Sequence, residues 1–216
     1  MSTLKLWAIG IDEVRRISGA DQATAERLRR VADERFAVSQ PRRPGLLGKL
    51  GPLMRGGGDP AAPRPGSPTA ADVDDLLAGR FIDPPRLDRA WLLLELWLDT
   101  LSLGTDQWSV GPGGLDDFDF DLARAQAPGR CGLTELFKAS LGLSLTRPPG
   151  LAAGWVPGRH ADTMNRAWQP AIAELSAEHA ELATAIGGWL GHFTTWRDQA
   201  VSSGRPEPDL VAVFRS

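Results

Sequence analysis

The sequence predicts a single α+β domain over residues 1–216, mainly helical, with a small sheet that pairs its N-terminal and C-terminal strands. Three observations predict it. Residues 87–103, LDRAWLLLELWLDTLSL, are apolar round most of a helical cylinder when read at about 100° per residue, so neighbouring elements must bury them. Residues 4–9 and 210–214 are short strand-like runs near opposite ends of the sequence. Most segments between them repeat apolar side chains at helical spacing, with one proline- and glycine-rich interruption.

Leu4, Leu6, Ala8 and Ile9, with Trp7 among them, make the first strand, which closes at Gly10. Gly10 or Asp12 opens a helix through Val14 and Ile17 to Gly19. Asp21 caps a second helix over residues 22–36, where Ala25, Leu28, Val31 or Ala32, and Phe36 recur on one side. The other side carries Arg27, Arg29, Arg30 and Arg35, which reads as a solvated face rather than a phosphate site. Residues 40–68 then change character. From Pro41 onward they hold seven Pro and seven Gly, with five basic side chains and one acidic, a composition that packs no core of its own and reads as a flexible insertion. Within it Leu46, Leu47, Leu50, Leu53 and Met54 are flanked by Arg42, Arg43, Lys49 and Arg55. Such a cluster either folds back onto the domain or docks on an acidic partner or membrane surface. Gly48, Gly51 and Pro52 make a poor amphipathic helix and favour the former.

Thr69, with Asp72 three residues on, caps a short helix that turns Val73, Leu76 and Leu77 inward and ends at Gly79. Asp83, Pro84 and Pro85 start the central helix and Gly104 ends it. Asp88, Glu95, Asp99 and Ser102 form its narrow polar stripe, shared only with Leu92; at about 17 residues with four charges it is too short to span a bilayer. Residues 107–110 read as a brief strand and 111–114 (GPGG) as a turn, which lacks the Lys-Ser/Thr of a phosphate loop. A helix begins at Thr134 and runs through Leu136, Phe137 and Leu141, and residues 147–154 form a loop leading to Trp155. Another helix spans 160–175, kinked at Pro170, and a long one spans 176–202, weakest at Gly187 and Gly188. Gly204, Pro206 and Pro208 stop it, and the terminal strand pairs beside the first.

Composition narrows the function classes. Hydrophobic residues make up 42%, enough for a proper core, and eight Trp with no Tyr are expected to fill it. Cys131 is the sole cysteine, which excludes an internal disulfide and a multi-cysteine zinc site and suits a reducing compartment. The N-terminal residues show no secretory-signal pattern, so the expected location is the cytoplasm. The net charge of −3 hides an asymmetry. Residues 1–68 hold twelve basic against seven acidic side chains, and residues 69–130 hold five against twelve. An acidic middle disfavours nucleic acid and suits a protein partner with a basic surface.

The densest local motif is DDFDFD, Asp116, Asp117, Phe118, Asp119, Phe120 and Asp121. Asp117, Asp119 and Asp121 match the first ligands of a calcium loop, but Leu122 and Pro128 stand where glycine and glutamate are needed, so no metal site is expected. Read as an alternating segment, Phe118 and Phe120 point inward, the aspartates face water, and Asp121 caps a helix over 122–126. That acidic, aromatic patch is the candidate surface for a partner. The histidines form no motif: His179 and His192 lie about 220° apart around one helix. Glu95 and Asp99, four apart on the polar stripe, are a candidate carboxylate pair; with Trp155 and His160 they mark an alternative tryptophan-lined ligand pocket. Cys131 beside His160 is the remaining nucleophile–base combination. No cofactor motif is present.

The order of parts resembles a known family. A short strand leads into Ile11-Asp12-Glu13 and a helix; Leu87-Asp88-Arg89-Ala90-Trp91 opens the central helix; Trp155-Val156-Pro157 precedes another; and a last long helix runs through glycine into a terminal strand. This is similar to the YfbM-like family of small bacterial proteins, over most of the chain outside residues 40–68. The chain departs from that pattern at Leu94, where the family usually has His, at Leu101-Ser102-Leu103-Gly104, and in the proline-rich insertion. The resemblance implies an α+β fold of many helices on a small sheet. It supplies no agreed activity and no catalytic residue, and the matched Asp88 and Trp91 read as structural.

These observations give two expectations. The first is a cytoplasmic, non-enzymatic protein-binding module, in concrete form an immunity- or antitoxin-like inhibitor, engaging a basic partner through DDFDFD. The alternative is a small-molecule binder or enzyme with its pocket near Glu95, Asp99, Trp155 and His160.

Overall fold

The computed structural model describes residues 2–38 and 66–216. The leucine cluster and nearly all of the proline-rich insertion lie outside the described residues. Four antiparallel strands, β1 (Ser2–Ile9), β2 (Gly104–Val110), β3 (Leu151–Val156) and β4 (Asp209–Arg215), form one sheet in the order β2-β1-β4-β3. The N-terminal and C-terminal strands pair, as the sequence predicts, with Thr3 opposite Arg215 and Ile9 opposite Asp209, and they are the inner two strands of the sheet.

Helices cover both faces of this sheet, so the inner strands are apolar on both alternating sets. Trp7, Ile9, Val211 and Val213 pack into one core, under α1 (Ile11–Arg15), α2 (Gln22–Phe36), α3 (Ala70–Leu77) and α4 (Leu87–Leu101). Leu4, Leu6, Ala8, Leu210 and Ala212 pack into the other, under α5 (Gly114–Arg124), α6 (Gly158–Ala171), α7 (Ala177–Leu190) and α8 (Phe193–Ser202).

The central helix is α4. Leu93, Leu94, Trp97 and Leu98 are fully buried, and Leu92 stands out on the polar stripe. Pro84–Arg86 make a 3-10 turn ahead of it. From that turn Arg86 bonds Asp72 at 2.7 Å and Asp75 at 2.8 Å, tying α3 to α4. Asp72 has no exposed surface and also accepts the Thr69 amide and hydroxyl. Burial works against its charge, yet the Thr69 and Arg86 bonds prevail and hold the carboxyl below its usual range.

The tryptophans fill the two cores. Trp7, Trp91, Trp97, Trp168 and Trp189 are buried; Trp108, Trp155 and Trp196 are partly so. Indole N–H groups bridge elements: Trp97 donates to the Leu28 carbonyl, Trp91 to Thr146 and Trp168 to Cys131.

Several boundaries differ from expectation. The helix expected from Thr134 is a 3-10 turn, Leu133–Phe137. The expected loop over 147–154 ends in β3, whose Gly154 lets the strand lie against that turn; a Cβ there would strike the Leu136 carbonyl and sit 2.6 Å from Phe137 Cα. The long final helix is two helices, broken at Gly191 and His192, where the His192 amide bonds i−3 to the Trp189 carbonyl, rather than at Gly187 and Gly188. Gly187 instead lets α7 pack closely on Asn165 and Gln169 of α6. Pro170 falls in the last turn of α6, followed by the 3-10 turn Ile172–Glu174. No helix among the described residues is long and apolar enough to cross a membrane.

Candidate functional site

The DDFDFD segment is helical, not extended. Gly114, at φ +71°, starts α5, and the apolar set becomes Leu115, Phe118 and Leu122 at spacings of three and four. Phe118 is fully buried against Trp168 and His179, whereas Phe120 points to solvent and is 71% exposed. The expectation that both rings turn inward is thus corrected: period 3.6 separates residues that period 2 would align.

The aspartates divide in the same way. Asp119 accepts the Leu133 amide at 2.6 Å, the Thr134 amide at 2.9 Å and the Thr134 hydroxyl at 2.5 Å, pinning the 3-10 turn. Burial pushes its carboxyl up in spite of these bonds. Asp121, buried, accepts the Ser176 amide at 2.9 Å and His179 Nδ1 at 2.9 Å, and pairs with Arg124. The Ser176 amide and then His179 hold it far below the usual carboxylate range. It therefore secures the start of α7 from a distance and does not cap a helix over 122–126. Asp116, Asp117 and Phe120 are the members of the motif that remain at the surface.

Asp117, through His179 Nε2 at 3.8 Å, leads to a groove of about 260 Å³ between β2 and α7. Trp108, Val110 and Leu182 supply its apolar wall, and Glu178, Glu181 and His179 its polar one. Its lining, among the described residues, contains no Lys or Arg. Among the described residues, Asp116, Glu178 and Glu181 make no ion pair or side-chain hydrogen bond, and Asp117 has only His179 Nε2, at 3.8 Å. The GPGG turn lies between the carboxylates: a Cβ on Gly111 would strike Glu178 Oε1, and one on Gly113 would strike Asp117 Oδ2. Asp116, Asp117 and Glu178 occupy first turns of α5 and α7, where the helix dipole favours negative charge and offsets their mutual repulsion.

His179, with Glu178 and Glu181, is among the residues that sequence reasoning missed. A carboxylate only accepts, so the Asp121 bond places a proton on Nδ1 and turns Nε2 toward Asp117. Its interactions among the described residues are with Asp117, Asp121 and the Phe118 ring, without a hydroxyl or thiol nucleophile. Asp121 and His179 lie 58 residues apart, and no local pattern joins them.

The alternative pocket residues are not brought to one place. Glu95 pairs with Arg215 at 2.5 Å, while Asp99 pairs with Lys5 at 2.7 Å and accepts the Trp7 indole at 2.8 Å. Each carboxylate thus has its own cation, unlike a proton-sharing pair. Trp155 lies opposite Val211, four residues along β4 from Arg215, with its indole on the Ser140 carbonyl. His160 is on the other side of the sheet, with Nε2 2.9 Å from the Arg130 carbonyl, and Cys131 is buried. No group of three or more His, Cys, Asp or Glu among the described residues is arranged to hold a metal ion.

Set against known proteins, the chain matches no family model, no curated protein and no solved structure.

Proposed function

We propose that this protein is a non-enzymatic binding module that docks a basic partner protein on the acidic face of α5, the GPGG turn and the start of α7. One observation carries the reading: Glu178 and Glu181 line a groove with an aromatic wall and, among the described residues, no Lys or Arg, and Asp117 reaches its His179 from the exposed start of α5, beside Asp116. Phe120, four residues from Asp116 on the same flank of α5, adds an exposed aromatic of the kind that anchors interfaces. A partner's Lys or Arg side chains would find carboxylates for their charged heads and the Trp108 ring for their stems. An inhibitor of the immunity or antitoxin kind is the concrete form, since such proteins act by covering a partner's surface and need no catalytic group. The resemblance to YfbM-like proteins supplies no competing activity.

The test is co-purification from source-cell lysate with the wild-type chain and a variant carrying D116K, D117K, E178K and E181K. A basic protein retained by the wild type, released by salt and lost with the variant supports the reading. Retention of nothing, or equal retention by both, overturns it.

A further inference from the structure

A second cavity lies in the layer of α1 to α4, away from the acidic face. It measures about 620 Å³ and opens between the α1–α2 connection, the end of α4 and Arg205. That volume lies within the range of small-ligand pockets, roughly 300–1,000 Å³. Ile17, Ala20 and Leu101 give it apolar walls. Its charges are unequally engaged. Arg205 forms a two-pronged pair with Glu13, at 3.0 and 3.1 Å, and its guanidinium also bonds the Leu101 carbonyl, so both charges are spent. Asp21 is committed to the Thr24 amide and hydroxyl at the start of α2.

Two cations remain. The Arg16 side chain makes no ion pair or hydrogen bond among the described residues. The Arg27 guanidinium reaches only the Thr100 carbonyl, at 3.4 Å, a weak contact. In the same lining, the Ser102 hydroxyl is screened from solvent and has no hydrogen-bond partner among the described residues. Buried hydroxyls are rarely left so.

We infer that this cavity binds a small organic anion, a carboxylate or a phosphate monoester carrying an apolar body. Arg16 and Arg27 hold the oxyanion, for which planar guanidinium forks are suited. Ile17, Ala20 and Leu101 cover the body. This site is independent of the acidic face and stands whether or not a protein partner docks there.

Isothermal titration calorimetry of the full chain with phenyl phosphate, benzoate, benzamide and inorganic phosphate tests it. Saturable binding of phenyl phosphate or benzoate, none of neutral benzamide, and at least a tenfold loss in R16A/R27A is the expected result; which anion binds more tightly separates the phosphate from the carboxylate source. Both arginines are exposed, so the double variant should fold, and circular dichroism checks it. In the wild type, affinity should fall as salt rises from about 50 to about 200 mM, because the Debye length shortens and exposed guanidinium charges are screened. No saturable heat from either organic anion at millimolar concentration, or unchanged affinity in the variant, overturns the site. Inorganic phosphate binding as tightly as phenyl phosphate overturns the role of the apolar walls.

Discussion

His179 Nδ1 and the Ser176 amide both lie 2.9 Å from the same oxygen of Asp121, so one carboxylate secures the first turn of α7 to α5. The bond joins elements separated by the whole of β3 and α6. It also fixes the imidazole that flanks the acidic groove.

Replacing Asp121 with Ala should lower stability by about 1–3 kcal/mol, the cost of a lost cap and an unpaired buried donor. The sign with pH follows from its depressed value. Its stabilisation is fully present above the unfolded carboxylate range, near pH 4, and is lost as pH falls toward the folded value. Urea titrations below pH 4 should therefore show a shallower decline for D121N than for the wild type.

Phe118 and Phe120 should separate core from surface. Phe118→Ala is expected to cost about 3–5 kcal/mol, as a fully buried ring is removed. Phe120→Ser should change stability by no more than about 0.5 kcal/mol while weakening partner retention. Thermal melts alongside co-purification read both.

Asp99→Leu leaves the Trp7 indole without its acceptor and Lys5 without its counter-ion. A loss of about 1–3 kcal/mol is expected, with a shift in Trp emission on melting. Glu95 and its bond to Arg215 should be untouched, which an unchanged midpoint difference for E95Q in the Asp99→Leu background would show.

Gly154→Ala drives a methyl into the Leu136 carbonyl and against Phe137 Cα. Backbone, unlike a side-chain tip, gives way poorly, so a loss of at least about 1–3 kcal/mol is expected in denaturant titrations.

The parts of the fold legible in the sequence are those where burial is one-dimensional. Residues 87–101 are apolar round most of the cylinder because α4 packs on α2, α3 and the sheet, leaving only a narrow stripe at the surface, and β1 and β4 are apolar on both sets because both sheet faces are covered. The DDFDFD segment misleads because six residues with alternating aromatics fit period 2; only with Leu115 and Leu122 included does period 3.6 emerge. The polar start of β2 hides an edge strand, which needs no continuous apolar run, and the small residues of β3 record close packing rather than a pattern. The candidate surface was legible in its α5 half alone. Glu178, Glu181 and His179 join it through the docking of α7 on β2, a tertiary fact without local trace.

Because β1 and β4 are immediate neighbours at the middle of the sheet, the order of synthesis and the order of assembly are opposed. A nascent chain that has not yet extended past Asp209 holds β1 without its inner neighbour and β3 without its strand partner, since among the described residues β3 pairs with β4 alone. Both helical layers then face a sheet with its centre missing. Completion of this sheet awaits β4, and until it emerges from the ribosome the edges of β1 and β3 that it covers are exposed to chaperones and to one another.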